Sequence, residues 1–131
     1  YIHDRIGYNY RMPNLNAALA CAQLEQLNSF IKNKRELSDL YFNLLKDNKK
    51  IKIVREIKHA KSNYWLNSII LENKKARDIF LSFTNENGIM TRPIWGLMNK
   101  LEMYKNCPYS DLSNSEWLAD RVVNITSSIR L

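Results

Sequence analysis

A chain of 131 residues with 45% hydrophobic and 25% charged residues has the size and composition of one globular domain, which excludes a disordered or fibrous protein. No apolar run approaches the roughly 20 residues that span a bilayer, so we expect no membrane contact. The net charge of +7 comes from 20 Lys and Arg residues dispersed along the chain, which favours solvated lysines over a nucleic-acid-binding surface.

Cysteine and histidine usage predicts neither a disulfide nor a metal site. Cys21 and Cys107 are far apart without a C-x-x-C pair, and His3 and His59 are equally scattered. Cys21 falls among alanines in a helical pattern, so we expect it to be a small buried residue. A cytoplasmic protein is the natural interpretation.

The first motif, residues 7–14, is a glycine-led loop that ends at a proline and the start of a helix. Tyr8, Asn9 and Arg11 lie in it, and backbone N–H groups at a helix start attract anions. Arg can also hold a phosphate through two parallel hydrogen bonds. We therefore expect a phosphate-holding loop. The alternative is a helix lead-in whose tyrosines pack and whose Arg is solvated.

A helix is predicted over residues 14–47, because apolar residues recur at helical spacing without Gly or Pro. Asn14 is in position to cap it, and a bend is expected near residues 28–29. Its Ala-rich first part suits packing against another element. The Lys-rich stretch 32–36 is expected to be solvated.

The remainder, residues 48–131, reads as alternating short strands and helices. Strands are predicted at 51–55, 63–71 and 89–91, with helices at 74–87 and from the capping box 113–116 to about 124, followed by an extended tail at 125–129. Residues 96–112 form an irregular, apolar-rich loop that we expect to cover a pocket or another subunit. The order predicts an α/β (α+β) fold, in which helices pack on a small, mainly antiparallel sheet.

The helix over residues 74–87 has the clearest local signals. Asn73 is its expected cap, and Asn87-Gly88 is expected to end it with a left-handed residue. The inner face is predicted to be Ala76, Ile79/Phe80 and Phe83.

Several stretches resemble the DegT/StrS family of sugar aminotransferases. They are residues 7–18, 23–27, 62–67, 91–95, 97–101, 106–107 and 112–118. The later ones look most like the subgroup that acts on UDP-linked amino-dideoxy sugars for legionaminic acid or bacillosamine. The resemblance implies the C-terminal small domain of a fold type I aminotransferase that uses pyridoxal 5'-phosphate. It divides the chain into an interface and cofactor-phosphate loop (1–13), a long linking helix (14–47) and a small domain (48–131).

The resemblance also implies a homodimer in surface polysaccharide biosynthesis, which moves an amino group from glutamate to a UDP-linked keto-sugar. Asn9 would reach the cofactor phosphate of the neighbouring subunit, with Arg11 and Tyr8 supporting that contact. The Schiff-base lysine belongs to the preceding large domain of the family. We therefore assign no catalytic residue here, and we expect this portion alone to be inactive.

Substrate contacts follow from the same resemblance. Arg92, Trp95 and Asn99 would face the sugar nucleotide. Thr126 stands where the family usually has Pro, which we expect to loosen the last turn. Two alternatives stay open: a non-catalytic sugar-nucleotide-binding or dimerisation module, and a basic RNA- or DNA-binding domain, which would need its cations on one face.

Overall fold

The computed structural model describes residues 3–130, so the first two residues of the predicted 1–13 loop and the last residue of the chain lie outside it. Helices and strands follow one another in this order: α1 Asn14–Glu25, α2 Leu27–Leu45, β1 Ile51–Ile53, β2 Asn67–Leu71, α3 Lys74–Glu86, β3 Arg92–Pro93, α4 Ser113–Ala119 and β4 Val122–Ile125. Two 3-10 turns, Met98–Lys100 and Glu102–Tyr104, lie between β3 and α4.

The four strands form one antiparallel sheet in the order β1-β2-β4-β3. Helix α2 packs against β1, and α3 packs against β2 and β4. Ile69 on β2 lies opposite Val123 on β4, so both side chains point to the same face. The predicted fold, a small antiparallel sheet with helices on it, is confirmed.

The core lies on that face of the sheet. Ile69 is 1% exposed and Val123 is fully buried, and Leu71 completes the buried cluster. The partly buried residues that pack on it come from β1, β4 and both neighbouring helices: Leu45, Ile51, Ile53, Ala76, Phe80, Leu81 and Ile125. The inner face predicted for α3 is therefore right for Ala76 and Phe80 but wrong for Ile79 and Phe83, which are exposed.

The predicted long helix is two helices. Gln26 leaves the helical conformation with φ −105° and ψ 2°, two residues before the expected bend. No residue of α1 is buried, so the buried position predicted for Cys21 is wrong; both free cysteines are exposed. The predicted cap is also displaced, since Asn14 is the first helical residue and Pro13 holds the cap position without a side-chain bond.

Helix α3 begins and ends as predicted. The Asn73 side chain accepts a hydrogen bond from the backbone N–H of Ala76 at 2.9 Å. After the helix, Gly88 takes φ +75°, the left-handed conformation that glycine adopts without steric cost.

The last third of the chain differs most from its prediction. Helix α4 ends at Ala119, and residues 122–124, expected to finish that helix, instead form β4 together with Ile125. The β-branched Val122 and Val123 favour a strand, and β2 supplies the partner. The expected capping box is absent, because Leu112 occupies the cap position and the Ser113 side chain bonds to Asp111. The strand predicted at 89–91 starts later, at Arg92.

An ion pair holds the long loop between β1 and β2 onto α2. Arg35 donates to both carboxylate oxygens of Glu56, at 2.6 and 3.1 Å, and to the carbonyl of Ser62 at 2.7 Å. The hydrogen bonds from Arg35 and from the Ser62 backbone lower the pKa of Glu56 to about 2. The expectation that stretch 32–36 is simply solvated is therefore wrong at Arg35.

Among residues 3–130, no helix is long and apolar enough to cross a bilayer. The same residues contain no cluster of His, Cys, Asp and Glu side chains that could hold a metal ion.

Candidate functional site

A groove of about 750 Å³ lies where β2 begins and β4 ends, beside β3. Side chains from α2, from the sheet and from the segment after β4 line it: Lys34, Trp65, Leu66, Met90, Arg92, Pro93, Trp95, Asn124, Ile125, Thr126, Ser127 and Ser128. Its volume falls within the range of about 300–1,000 Å³ typical of small-molecule sites. The groove is therefore the site to test against the predicted substrate contacts.

Two tryptophans form its aromatic rim. The ring centroids of Trp65 and Trp95 are 6.3 Å apart with planes tilted by 32°, within the contact range of aromatic pairs. The two residues nevertheless remain 64% and 51% exposed. Large ring surface is thus available to a planar or apolar ligand group.

Lys34 joins the two sides of the groove. Its Nζ donates to the carbonyl of Ser127 at 2.6 Å and to the carbonyl of Trp65 at 3.4 Å, the second contact being long. Burial lowers the pKa of Lys34, because a charged ammonium loses hydration there. Both partners are neutral carbonyls, and among residues 3–130 no carboxylate lines the groove. The positive charge of the groove lining therefore favours an anionic ligand.

The segment after β4 is tied to α2 by polar contacts and forms one wall. The Tyr41 and Thr126 hydroxyl oxygens are 2.6 Å apart, and Asn33 exchanges two hydrogen bonds with the backbone of Arg130. The hydroxyl of Ser127 accepts from the Asn67 backbone N–H at 2.7 Å. At Thr126, where a looser turn is expected, the side-chain hydroxyl is bonded to Tyr41 on α2.

The structure brings two of the three predicted substrate residues together. Arg92 and Trp95 both line the groove. Asn99 does not: it lies half-buried on the first 3-10 turn, and its buried Oδ1 has no hydrogen-bond partner among the described residues. Asn99 thus presents an unused acceptor outside the groove.

The three predicted cofactor residues lie on the N-terminal arm, residues 3–13, away from the groove lining. Tyr8, Asn9 and Arg11 are exposed, and the rings of Tyr8 and Tyr10 stack with centroids 6.0 Å apart. Within residues 3–130, the Asn9 and Arg11 side chains make no hydrogen bond or ion pair, so their donors remain available. An amide and a guanidinium of this kind fit a phosphate group chemically.

Sequence reasoning missed Lys34, Trp65 and Ser127 as lining residues. Lys34 and Ser127 are 93 positions apart, so no local spacing indicates their contact. Trp65 stood within a stretch predicted to be a buried strand, whereas β2 starts only at Asn67. The exposed position of Trp65 follows from that later start.

Curated relatives match almost the whole chain. It is 35% identical over 127 residues to the GDP-perosamine synthase of Escherichia coli O157:H7, covering 97% of this chain and 34% of that protein. The GDP-perosamine synthase of Vibrio cholerae is 36% identical over 132 residues, covering 97% and 35%. The chain thus spans about a third of the length of the curated relatives it matches.

Solved structures share its fold. A sugar aminotransferase of Micromonospora echinospora superposes with a TM-score of 0.79 at 18% identity, covering 95% of this chain and 33% of that one. A Helicobacter pylori aminotransferase involved in the biosynthesis of pseudoaminic acid gives 0.78 at 18% identity, covering 92% and 33%. The family model for DegT/DnrJ/EryC1/StrS aminotransferases matches residues 1–131. The chain therefore belongs to the DegT/DnrJ/EryC1/StrS aminotransferase family.

Proposed function

We propose that this chain is the C-terminal portion of a pyridoxal-phosphate-dependent transaminase that moves an amino group from glutamate to a nucleotide-linked keto-sugar. The observation that carries the proposal is the groove. In this member of the family, Arg92 and Trp95 both line a groove that is large enough for a small molecule and whose charges favour an anion. The product would serve the synthesis of a surface polysaccharide. On its own the chain supplies substrate contacts and cofactor-phosphate donors, and we propose that it is incomplete as a catalyst.

The N-terminal arm would hold the cofactor. Pyridoxal phosphate, when bound, supplies the electron sink that makes amino-group transfer feasible. Asn9 would donate to its phosphate and Arg11 would add charge, with Tyr8 beside them. These side chains are exposed and carry no internal hydrogen bonds within residues 3–130, which supports contact with a group outside this chain.

A homodimer with sites at the subunit interface is part of the proposal. The arm and α1 expose large apolar side chains that a partner subunit and a larger cofactor domain would cover: Ile6, Tyr8, Tyr10, Met12, Leu15, Leu19 and Leu24. A concentration of large exposed apolar side chains is typical of surfaces that bind another protein or domain. A non-catalytic dimerisation module would use the same surface, so activity has to separate the two readings.

The nucleotide of the substrate is the finer question. The resemblance of the later motifs, which extend to residue 118, favours a UDP-linked sugar of the legionaminic acid or bacillosamine type. The two GDP-perosamine synthases at 35% and 36% identity favour a GDP-linked sugar as the second candidate. Both candidates share a diphosphate and a planar base, which the groove suits equally.

The test is a chimera in which this chain replaces the matching third of the Vibrio cholerae GDP-perosamine synthase, assayed with glutamate and UDP- or GDP-linked keto-sugars. The unmodified relative is the control. We expect a Schiff-base absorbance and amino transfer to one nucleotide class, while this chain alone with pyridoxal phosphate turns over nothing. A chimera that forms the Schiff base yet transfers no amino group to any substrate would overturn the proposal.

Asn9 gives a second readout that does not depend on activity. A hydrogen bond to a charged group contributes about 1.5–3 kcal/mol, so Asn9→Ala in the chimera should weaken cofactor affinity by about ten- to a hundredfold. Asn16→Ala, an exposed amide on α1, is the matched control. Equal affinities of both variants, measured by equilibrium dialysis, would remove Asn9 from the cofactor site.

A further inference from the structure

The chemistry of the groove divides into two parts that match two parts of a nucleotide. At the rim, the Trp65–Trp95 pair offers exposed ring surface. At the wall, Lys34 and Arg92 bring two cations into a site whose lining contains no carboxylate among the described residues. Bases of any identity stack on aromatic rings, and diphosphates are bound by lysine and arginine.

Lys34 retains binding capacity after its internal contacts are counted. An ammonium has three donors, and two of them are directed at the carbonyls of Ser127 and Trp65. Neither carbonyl neutralises the charge, and Lys34 forms no ion pair within residues 3–130. A partly buried cation in this state gains most from an anion that reaches it.

We propose that Lys34 and Trp65 bind the nucleoside diphosphate part of the ligand, with the base stacked on the Trp65–Trp95 pair and the diphosphate between Lys34 and Arg92. This inference rests on the proposed function, because it takes the ligand to be nucleotide-linked. It leaves the keto-sugar, not the nucleotide, to reach towards the cofactor. Lys34 also holds the carbonyls of Trp65 and Ser127, so it positions both sides of the groove.

Calorimetric titration of the 131-residue chain with UDP, GDP, uridine and inorganic diphosphate tests this, once circular dichroism shows that each variant is folded. Lys34→Met should lower nucleoside diphosphate affinity about ten- to a hundredfold and leave uridine affinity within about twofold. Lys34→Arg should restore most of the loss. Trp65→Leu should lower affinity for UDP, GDP and uridine by about five- to a hundredfold.

Two control variants match these changes. Lys32→Met removes an exposed lysine of the same helix, and Trp117→Leu removes a tryptophan outside the groove. We expect both to bind as the unmodified chain does. If Lys34→Met lowers the affinity for UDP and GDP no more than Lys32→Met does, Lys34 has only a structural role. The same conclusion follows if Lys34→Met lowers the affinities for uridine and for the nucleoside diphosphates equally. If the folded chain binds neither UDP nor GDP at millimolar concentration, the inference is overturned.

The chimera keeps the inference testable if a variant of the short chain does not fold. There, Lys34→Met should raise KM for the sugar nucleotide about ten- to a hundredfold and leave kcat nearly unchanged, because nucleotide binding is lost and the reacting groups stay in place. An active chimera whose KM ignores Lys34→Met refutes the inference and leaves the proposed function standing. If the 131-residue chain binds nucleotides through Lys34 but the chimera is inactive, the inference stands and the proposed function is refuted.

Discussion

Residues 27–130 and residues 3–25 are held in shape by different means. Within residues 3–130, every residue with a buried side chain lies between Leu37 and Val123, around one four-stranded sheet. Helix α1 and the N-terminal arm contain no buried residue, although they carry large apolar side chains such as Leu15 and Leu19. One region therefore gains its stability from its own core, and the other has to gain it from whatever covers it.

Hydrogen exchange should show the largest difference. The amides of Ile69 and Val123 lie in the central strands and should open only with global unfolding, which in domains costs about 5–15 kcal/mol. The amides of α1 should open at a cost near zero, because an unsupported helix of 12 residues is marginal in water. Equal protection of the two regions in the isolated chain would contradict the comparison.

Truncating one side chain in each region should separate them in denaturant melts. Ile69→Ala removes a side chain that is 1% exposed, and the lost burial and new cavity should cost about 2–5 kcal/mol. Leu15→Ala is the matched change on α1, where Leu15 is 81% exposed, and should cost less than about 0.5 kcal/mol. Similar losses from both variants would show that α1 is supported within this chain.

Helix caps sharpen the comparison within the sheet region. Asn73→Ala removes a bonded cap of α3 and should cost about 1 kcal/mol in the free energy of unfolding. Ser113→Ala removes a hydroxyl at the start of α4 that caps nothing, and should change stability by less than about 0.5 kcal/mol. A larger loss of stability from Ser113→Ala than from Asn73→Ala would show that Ser113 does cap α4, as the predicted capping box requires.

Glu56 should make the free energy of unfolding depend on pH only in the acidic range. Its folded pKa of about 2 lies below the unfolded value near 4.5, because Arg35 and the Ser62 backbone bond the charged form. The stability that this carboxylate contributes is therefore complete above about pH 4.5 and is lost as the pH falls towards 2. Melts of Glu56→Gln should show a weaker decline over that range than the unmodified chain, and an identical decline would exclude Glu56 as its source.

Local chemistry made some of this structure predictable. Asn73 and Gly88 act on backbone groups within a few positions, so their roles follow from sequence alone. The order of the predicted helices and strands indicated the sheet architecture, and the motif resemblance indicated the family and the two groove residues Arg92 and Trp95. These features depend little on where the rest of the chain goes.

Long-range contacts explain what sequence could not predict. The stretch from Trp117 to Val122 fits helical spacing. Val122 and Val123 nevertheless join a strand, because β2, about 50 residues earlier in the chain, pairs with them. Lys34 belongs to the groove only because the segment after β4 returns to α2. Tertiary pairing overrode the local pattern at both places.

The two edge strands of the sheet also affect the tendency of the protein to aggregate at high concentration. One edge is β1, three residues long with Lys52 exposed on it, and the other is β3, only two residues long. Pro93 in β3 has no N–H to offer an incoming strand. Short edges carrying a lysine or a proline are poor templates for strand addition. Growth of this sheet into a cross-β aggregate is therefore discouraged at both sides, even where α1 leaves apolar surface uncovered.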